Sequence, residues 1–266
     1  MFAKQPVLFL SHGSPLTALG GDELNQCWAQ LAQRLARPSA ILMVSAHWTT
    51  RLPVISGGNH PQTIHDFGGF PAELYALRYP APGAPALAQS IKQRLGDAGI
   101  AAGIDASRGL DHGAWVPLLT LFPAADVPVV QLSVQPERCA RHHYALGAAL
   151  TALSDENVLI IASGHLTHNL MDYLRPYGER PAPDSRAFRD WVHARLVDSS
   201  GTAMDALFDW EKQAPGAQFS HPTPEHFLPL FVALGAAGGA HRTEWLDGGW
   251  VSESLAADRY LFEQTK

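Results

Sequence analysis

Histidine closes the most apolar segments of this chain. VLFLSHGSP ends its apolar run at His12, ILMVSAHW at His47, and VLIIASGHLTHNL at His165 and His168. Ligands of open α/β sheets sit in the crevice beyond the carboxyl ends of the strands, so side chains placed just after such runs converge there. Neutral imidazole is a common ligand for metal ions. DHGAW adds His112 and HPTPEHFLPL adds His221 and His226, and together the pattern predicts one mononuclear, histidine-rich metal centre. Thirteen histidines put some at strand ends by chance, and a single one is more often a hydrogen-bonded structural residue. Recurrence at the same topological position is what favours ligation. The chain carries no HExxH and no CxxC pattern, so the fold rather than local spacing must assemble the site.

The elements that would position these histidines alternate between strand and helix, as in a largely parallel sheet covered by helices. Residues 7–11, 40–46, 52–56, 127–134 and 158–163 are strand candidates, and VPVVQLSV and VLIIAS are continuous apolar runs of the kind buried on both faces. A helix begins at Asp22, an N-cap residue type, with Leu24, Trp28, Leu31 and Leu35 on one face, and Pro38 ends it. Another starts near Pro85, carries Leu87, Ile91 and Leu95 at four-residue spacing, and stops at Gly96 and Gly99. Residues 137–153 form an Ala/Leu-rich helix. After the loop RPAPDSR, residues Phe188, Trp191, Val192 and Leu196 define an amphipathic one.

In HPTPEHFLPL, Thr223 reads as an N-cap with Pro224 at the first helical position. That places His226 in the first turn, where the helix dipole keeps its ring neutral, and turns Glu225 to another side. The stretch GGNHPQTIHDFGGFP, residues 57–71, has no periodicity and is expected to be a long functional loop. Of its two histidines, His60 and His65, the second is placed to line a pocket. The expected architecture is a single α/β domain spanning 1–266, a three-layer α/β/α sandwich with a largely parallel or mixed central sheet.

A content of 46 % hydrophobic and 17 % charged residues in 266 supports a sizeable core. The formal charge of −6 without a Lys/Arg cluster argues against nucleic acid or an anionic membrane as partner and for a small neutral or weakly charged ligand. No apolar run reaches the roughly 20 residues that span a bilayer, and the short run from Met1 to the first strand leaves no room for a signal peptide. Cys27 and Cys139 give no disulfide framework. That suits a cytoplasmic setting, with both expected as buried, small apolar residues.

The segments SHGSP, SAHW, TIHDFGGFP, YPAPG, DHGAW, PVVQLSV, SGHLTHNL and HPTPEHFLPL, in this order, resemble the class III extradiol ring-cleavage dioxygenases, and within them the 4,5-DOPA extradiol dioxygenase branch. The resemblance covers essentially the whole chain. It implies one metal ion per chain, O2 and a single-ring catechol such as DOPA as substrates, and ring opening beside the diol. For DOPA the implied product is a muconic semialdehyde that cyclises to a betalamic-acid-like compound. Carried over motif by motif, the resemblance implies His12, His47 and His226 as metal ligands, and His168 as a fourth ligand or an acid/base beside the metal. His112 is then the second acid/base residue.

Fe(II) is the metal implied for dioxygenase activity. An all-histidine set departs from the two-histidine, one-carboxylate pattern of many extradiol enzymes and also suits Zn(II). His165 and His221 flank the matched positions and are expected to be surface or supporting residues. Trp48, Phe67, Phe70 and Trp115 offer rings for a catechol to stack on, or core filling. Two other classes fit the same histidines: a zinc hydrolase using a metal-bound hydroxide, and a Memo-like metal-binding interaction protein without ring-cleavage activity.

Overall fold

Successive side chains of a strand point to opposite faces, and in this protein both faces of the central strands are apolar. Val7 and Phe9 enter one core while Leu8 and Leu10 enter the other; Leu42 and Val44 oppose Ile41 and Met43, and Ile160 and Ala162 oppose Leu159 and Ile161. Each of these side chains larger than alanine, fully buried, contributes about 1.5–3 kcal/mol. A sheet made this way must be covered on both sides, which dictates three layers.

The structure, a computed structural model, describes residues 4–173, 182–198 and 201–265. In chain order the elements are β1 (Val7–Ser11), α1 (Glu23–Ala32), β2 (Ala40–Thr49), β3 (Val54–Ser56), α2 (Ala72–Ala76), α3 (Pro85–Asp97), β4 (Gly103–Asp105), α4 (His112–Leu121), β5 (Val129–Val134), α5 (Ala140–Ala148), β6 (Val158–Gly164), α6 (Leu170–Tyr173), α7 (Pro183–Val197), α8 (Gly201–Phe208), α9 (Trp210–Gln213), α10 (Ala217–Ser220), α11 (Leu228–Ala237), β7 (His241–Leu246), β8 (Trp250–Ser252), β9 (Leu255–Ala256) and β10 (Arg259–Gln264). Eight strands form one mixed, mostly parallel sheet in the order β4-β3-β5-β2-β6-β1-β10-β7. The central β5, β2, β6 and β1 are mutually parallel, whereas β3 opposes β5 and β10 opposes β1. Helices α1 and α4 cover one face; α3, α5, α7 and α11 cover the other.

The register of the central strands decides where chemistry can occur. Ser11 pairs with Gly164 and Ser45 with Ser163, so the carboxyl ends of β1, β6 and β2 lie side by side. His12, His165 and His47 follow within two residues of those pairs.

Several boundaries differ from expectation for identifiable reasons. Asp22 does cap α1, accepting from the Asn25 amide at 2.8 Å, but the helix proper stops at Ala32 and Leu35 reaches the core from a following turn. The predicted strand 52–56 shortens to Val54–Ser56, and 137–153 divides into α5 and the 3-10 turn Thr151–Ser154. The amphipathic helix over Phe188–Leu196 begins at Pro183, inside the expected loop RPAPDSR, of which Arg180 and Pro181 lie outside the described residues. Cys27 is half-buried and Cys139 exposed rather than buried. Cys27 sits beside the Leu24–Trp28–Leu31 face of α1, and Cys139 is the residue at which the chain turns in from the surface to start α5. No helix among the described residues is long and apolar enough to cross a membrane.

The crossing of α5 and α11 rests on two glycines. A Cβ on Gly235 would collide with the Tyr144 carbonyl, and one on Gly147 with the Val232 carbonyl. Neither backbone can yield as a flexible side chain would. Gly235→Ala is therefore expected to lower stability by about 3 kcal/mol through overpacking. Gly96→Ala in α3 meets nothing within 4 Å and should stabilise by about 0.5–1 kcal/mol. Urea unfolding of the two variants checks the contrast.

Candidate metal centre

Backbone contacts bring the histidine-bearing segments to one point. The His12 amide donates to the Gly164 carbonyl at 3.2 Å and the His165 amide to the His226 carbonyl at 2.9 Å. The latter approach requires glycine at 164, because a Cβ there would strike the His226 carbonyl. Gly13, at φ +72°, turns the chain away immediately after His12, and a Cβ there would press on Leu24 and Thr17. His47 lies within β2, past an irregularity in its pairing with β5 between Val44 and Thr49, and its amide donates to the Ser45 hydroxyl at 3.2 Å. Such irregularities re-aim side chains beside functional sites.

The result is a trio. His12 Nε2 and His47 Nε2 are 3.0 Å apart, His226 Nε2 is 3.3 Å from His47 Nε2, and the donor atoms of all three lie within 4.8 Å of one another. Their outer nitrogens assign the protons. The Ser163 hydroxyl gives its hydrogen to the Gly113 carbonyl at 2.5 Å, so it must accept from His12 Nδ1 at 3.0 Å. His226 Nδ1 donates to the Glu225 carboxylate at 3.1 Å. With Nδ1 protonated, a neutral ring has only a lone pair at Nε2. His47 Nδ1 faces the Asp66 carboxylate at 3.6 Å.

Burial keeps these rings neutral. It holds His12 and His226 well below the ordinary imidazole value, with the neighbouring rings adding to the effect. It lowers His47 to about 4, with His112 contributing, and His168 to about 2, with His165 contributing. With Nδ1 protonated on His12 and His226, the three Nε2 atoms of the trio share at most one proton, that of His47, so inward lone pairs repel and at least one buried acceptor is left without a donor, which costs about 1–3 kcal/mol. A cation removes both penalties. Metal–nitrogen bonds of about 2.0–2.1 Å with angles of 90–110° set neighbouring donors roughly 2.9–3.4 Å apart, which matches the separations of His47 from His12 and from His226. The donor set therefore fits a divalent metal held by His12, His47 and His226.

The other expected site residues surround this trio. His168 stacks on His226 with centroids 3.5 Å apart and planes 9° from parallel, and groups with Glu225 and His226 instead of with the trio. His112 begins α4, its ring centroid 3.9 Å from that of His47. Asp66 receives both its amide and its Nδ1 at 2.9 Å. Burial pushes the Asp66 carboxyl up, but the hydrogen bonds from His112 outweigh it and hold the group down at about 2. His112 Nδ1 thus carries a proton, leaving Nε2 as the acceptor. Gly113 lets α4 lie this close: a Cβ would meet the Ser45 hydroxyl at 2.5 Å and the His47 ring at 3.0 Å.

His12, His47, His112, His165 and His168 line a cavity of about 300 Å³ with Asp66, Phe67, Phe70 and the apolar residues of its mouth. Phe67 and Phe70 thus serve the pocket, whereas Trp115 is core, donating to the Ile64 carbonyl at 2.9 Å, and Trp48 lies under the Arg108 guanidinium. His65 turns from the cavity to the Leu77 carbonyl at 3.1 Å, and His60 is exposed.

Two expectations are corrected and one alternative is resolved. His226 sits in a turn before α11, which starts at Leu228, so burial rather than a helix dipole keeps it neutral. Glu225, expected to point elsewhere, holds the outer nitrogen of His226. Neither His165 nor His221 is a surface residue: both are buried, His165 against His12 at 4.5 Å and His221 bonded to the Leu166 carbonyl at 2.8 Å. Ser163 and Asp66 escaped the sequence reading. The pairing of β1 with β6 is what brings Ser163 to His12, and Asp66 stood in a loop without periodicity.

Comparisons with known proteins point one way. Residues 6–263 match the family of the catalytic LigB subunit of aromatic ring-opening dioxygenase. The chain is 41 % identical over 261 residues to a 4,5-DOPA dioxygenase extradiol of Beta vulgaris, covering 97 % of this chain and 96 % of that one. It is 41 % identical over 236 residues to one from Escherichia coli K12, covering 89 % and 86 %. A crystal structure of an uncharacterized protein from Escherichia coli K12 superposes with a TM-score of 0.82 at 35 % identity, covering 97 % of this chain and 99 % of that one.

Two outcomes follow from the neutral trio. Divalent metal at a hundredfold excess over its Kd should raise the melting temperature of stripped protein by roughly 5–10 °C. His12→Ala, His47→Ala and His226→Ala should each abolish that rise, with the metal content of the purified variants as the check. Stripped protein should also lose stability as pH falls. Imidazoles held neutral in the fold but protonated near 6.5 in the unfolded chain contribute stability that is present above pH 6.5. It is lost as pH falls towards about 4 for His47 and His221 and about 3 for His165. Each contributes a slope of up to about 1.4 kcal/mol per pH unit. Chemical denaturation between pH 7.5 and 4.5 measures it.

Proposed function

The chain belongs to the family of the LigB-type aromatic ring-opening dioxygenases, and from that membership and the geometry of its histidines we propose that it opens single-ring catechols, DOPA among them, by extradiol insertion of O2. The observation that carries the reading is the convergence of the Nε2 atoms of His12, His47 and His226, within 4.8 Å of one another, beside a cavity lined by His112 and His168. We further propose that residues 1–266 act as one catalytic domain, that Fe(II) is the working ion, and that the setting is cytoplasmic. Zn(II), which binds such nitrogen sites more tightly than ferrous iron, is then a competitor for the same ligands.

His12, His47 and His226 hold the metal. When bound, that ion supplies the positive charge that favours a catecholate and the redox chemistry that O2 requires. The remaining steps belong to the protein. His112, whose Nδ1 proton is engaged by Asp66, offers Nε2 to a catechol hydroxyl and takes its proton, and the Asp66 carboxylate stabilises the imidazolium so formed. His168, neutral and stacked on His226, is the second proton carrier and stands beside the metal ligands, not among them. Phe67 and Phe70 shield the ring from water, strengthening these electrostatic contacts. Overall, the ring C–C bond beside the diol breaks and both oxygen atoms of O2 enter the product, as an aldehyde and a carboxylate.

Oxygen uptake tests the reading. Stripped protein reloaded anaerobically with Fe(II) should consume O2 and form a yellow product with DOPA or catechol, and the Zn(II) form should not. Silence from the iron form, with ester or amide cleavage by the zinc form, would establish a hydrolase instead. His112→Ala and His168→Ala should retain metal and lose about 10²–10⁴ in kcat, the usual share of a general acid or base. Metal analysis alongside turnover separates that result from loss of the site.

A further inference from the structure

Among the described residues, the mouth of the catalytic cavity is mostly hydrocarbon. Its wall carries Leu16, Phe67, Phe70, Leu170, Val251 and Leu255. Leu16, Leu170 and Val251 are 45 %, 50 % and 42 % exposed, so three of the protein's exposed large apolar residues ring one opening. Singly exposed apolar residues need no explanation, but a contiguous set around a pocket marks a binding surface. The carboxylate that lines the same cavity, Asp66, is engaged by the His112 amide and ring. At about 300 Å³ the cavity lies at the small end of ligand sites, sized for one ring and a short substituent.

Apart from Ser14, whose hydroxyl accepts from the Leu16 amide at 3.3 Å, the polar groups are segregated. The histidines gather at the floor, where β1, β2 and β6 end, and the apolar residues come from segments above it: Leu16 after β1, Phe67 and Phe70 from the 57–71 loop, Leu170 from α6, and Val251 and Leu255 from β8 and β9. A catechol whose two oxygens face the histidine floor directs the substituent opposite its diol towards the hydrocarbon mouth. We infer that the preferred substrates are catechols bearing a short apolar substituent, such as 4-alkylcatechols, ahead of the zwitterionic side chain of DOPA. This rests on the ring-opening reading and narrows its substrate class. An α-ammonium and an α-carboxylate would lose hydration against Leu16, Leu170 and Val251, whereas each added methylene is removed from water.

The test is a substrate series on the Fe(II)-loaded protein: catechol, 4-methylcatechol, 4-ethylcatechol, 4-propylcatechol and DOPA. Anaerobic calorimetric titration of the same compounds into the Zn(II)-loaded protein gives a second readout. The expected kcat/KM rises roughly twofold to fourfold with each carbon, Kd falls in step, and DOPA lies at least tenfold below 4-propylcatechol on both scales. Leu170→Asn and Val251→Asn should flatten the gradient. Turnover with a flat series, or with DOPA equal to or ahead of the alkylcatechols, overturns this inference and leaves the dioxygenase reading standing. A Kd gradient without turnover of any catechol overturns the dioxygenase reading while supporting the apolar mouth.

Discussion

An imidazole has two nitrogens, and in the neutral ring only one of them can carry a lone pair; the rest of this structure depends on which. At His12 the choice is made two bonds away. Because Ser163 gives its only hydrogen to the Gly113 carbonyl, it has nothing to offer His12 except an acceptor, and His12 must turn its protonated nitrogen outward. Glu225 makes the same choice for His226. The inward lone pairs are thus imposed by groups that touch no ligand. Outer partners of this kind commonly fix the orientation and basicity of metal-binding histidines. Burial then protects the arrangement, because imidazolium at these positions would have to give up its hydration.

Bringing three such nitrogens within bonding reach of one ion is a problem of backbone approach. Parallel pairing of β1 and β2 with β6 sets their carboxyl ends level, but level strands are about 4.8 Å apart, and rings on adjacent strands need local adjustment to converge. The irregular end of β2 supplies one adjustment. Gly164 supplies another by letting the His226 turn lie directly on β6, and Gly113 a third by letting α4 press against the His47 ring. At each of these glycines the added methyl would occupy space that a ligand-bearing segment now fills.

What could be read in advance follows from which of these forces are local. The two-sided apolar runs of β1, β2, β5 and β6 announce a covered sheet, and the residues after them announce a crevice, so His12, His47 and His168 stood out in the bare chain. The antiparallel β10 and β7 did not. β10 joins the sheet through β1, more than two hundred residues distant in sequence, and β7, an edge strand with Arg242 and Glu244 among its residues, has no continuous apolar run. His226 was identified as a candidate ligand although its surroundings were misjudged: TPEHF has the composition of a helix start, yet the chain stays in a turn until Leu228, and Thr223 bonds to Glu225 instead of capping. Local composition set the expectation there, and the contact with β6 overrode it. Ser163 was hidden for the opposite reason, since a serine in a buried strand carries no sign of what it will face.

The loop 57–71 joins the histidine cluster to the apolar wall of the cavity. It has no helix or long strand to stabilise it, and it is held by hydrogen bonds to the start of α4: Ile64 to the Leu110 carbonyl at 2.7 Å, Leu110 to the Gln62 carbonyl at 2.8 Å, and the His112 amide to Asp66. Those contacts that pin the loop also set the proton on His112 and present Phe67 and Phe70 to the cavity. Asp66 stands at the N-terminus of α4, where the unsatisfied amides favour a carboxylate, so its position is paid for by the helix it caps. A change of length in this loop would therefore move Asp66, the partner of His112, and the apolar wall together. Substitution at its aromatic positions alone can reshape the wall while the Asp66–His112 pair stays in place over an unchanged histidine floor.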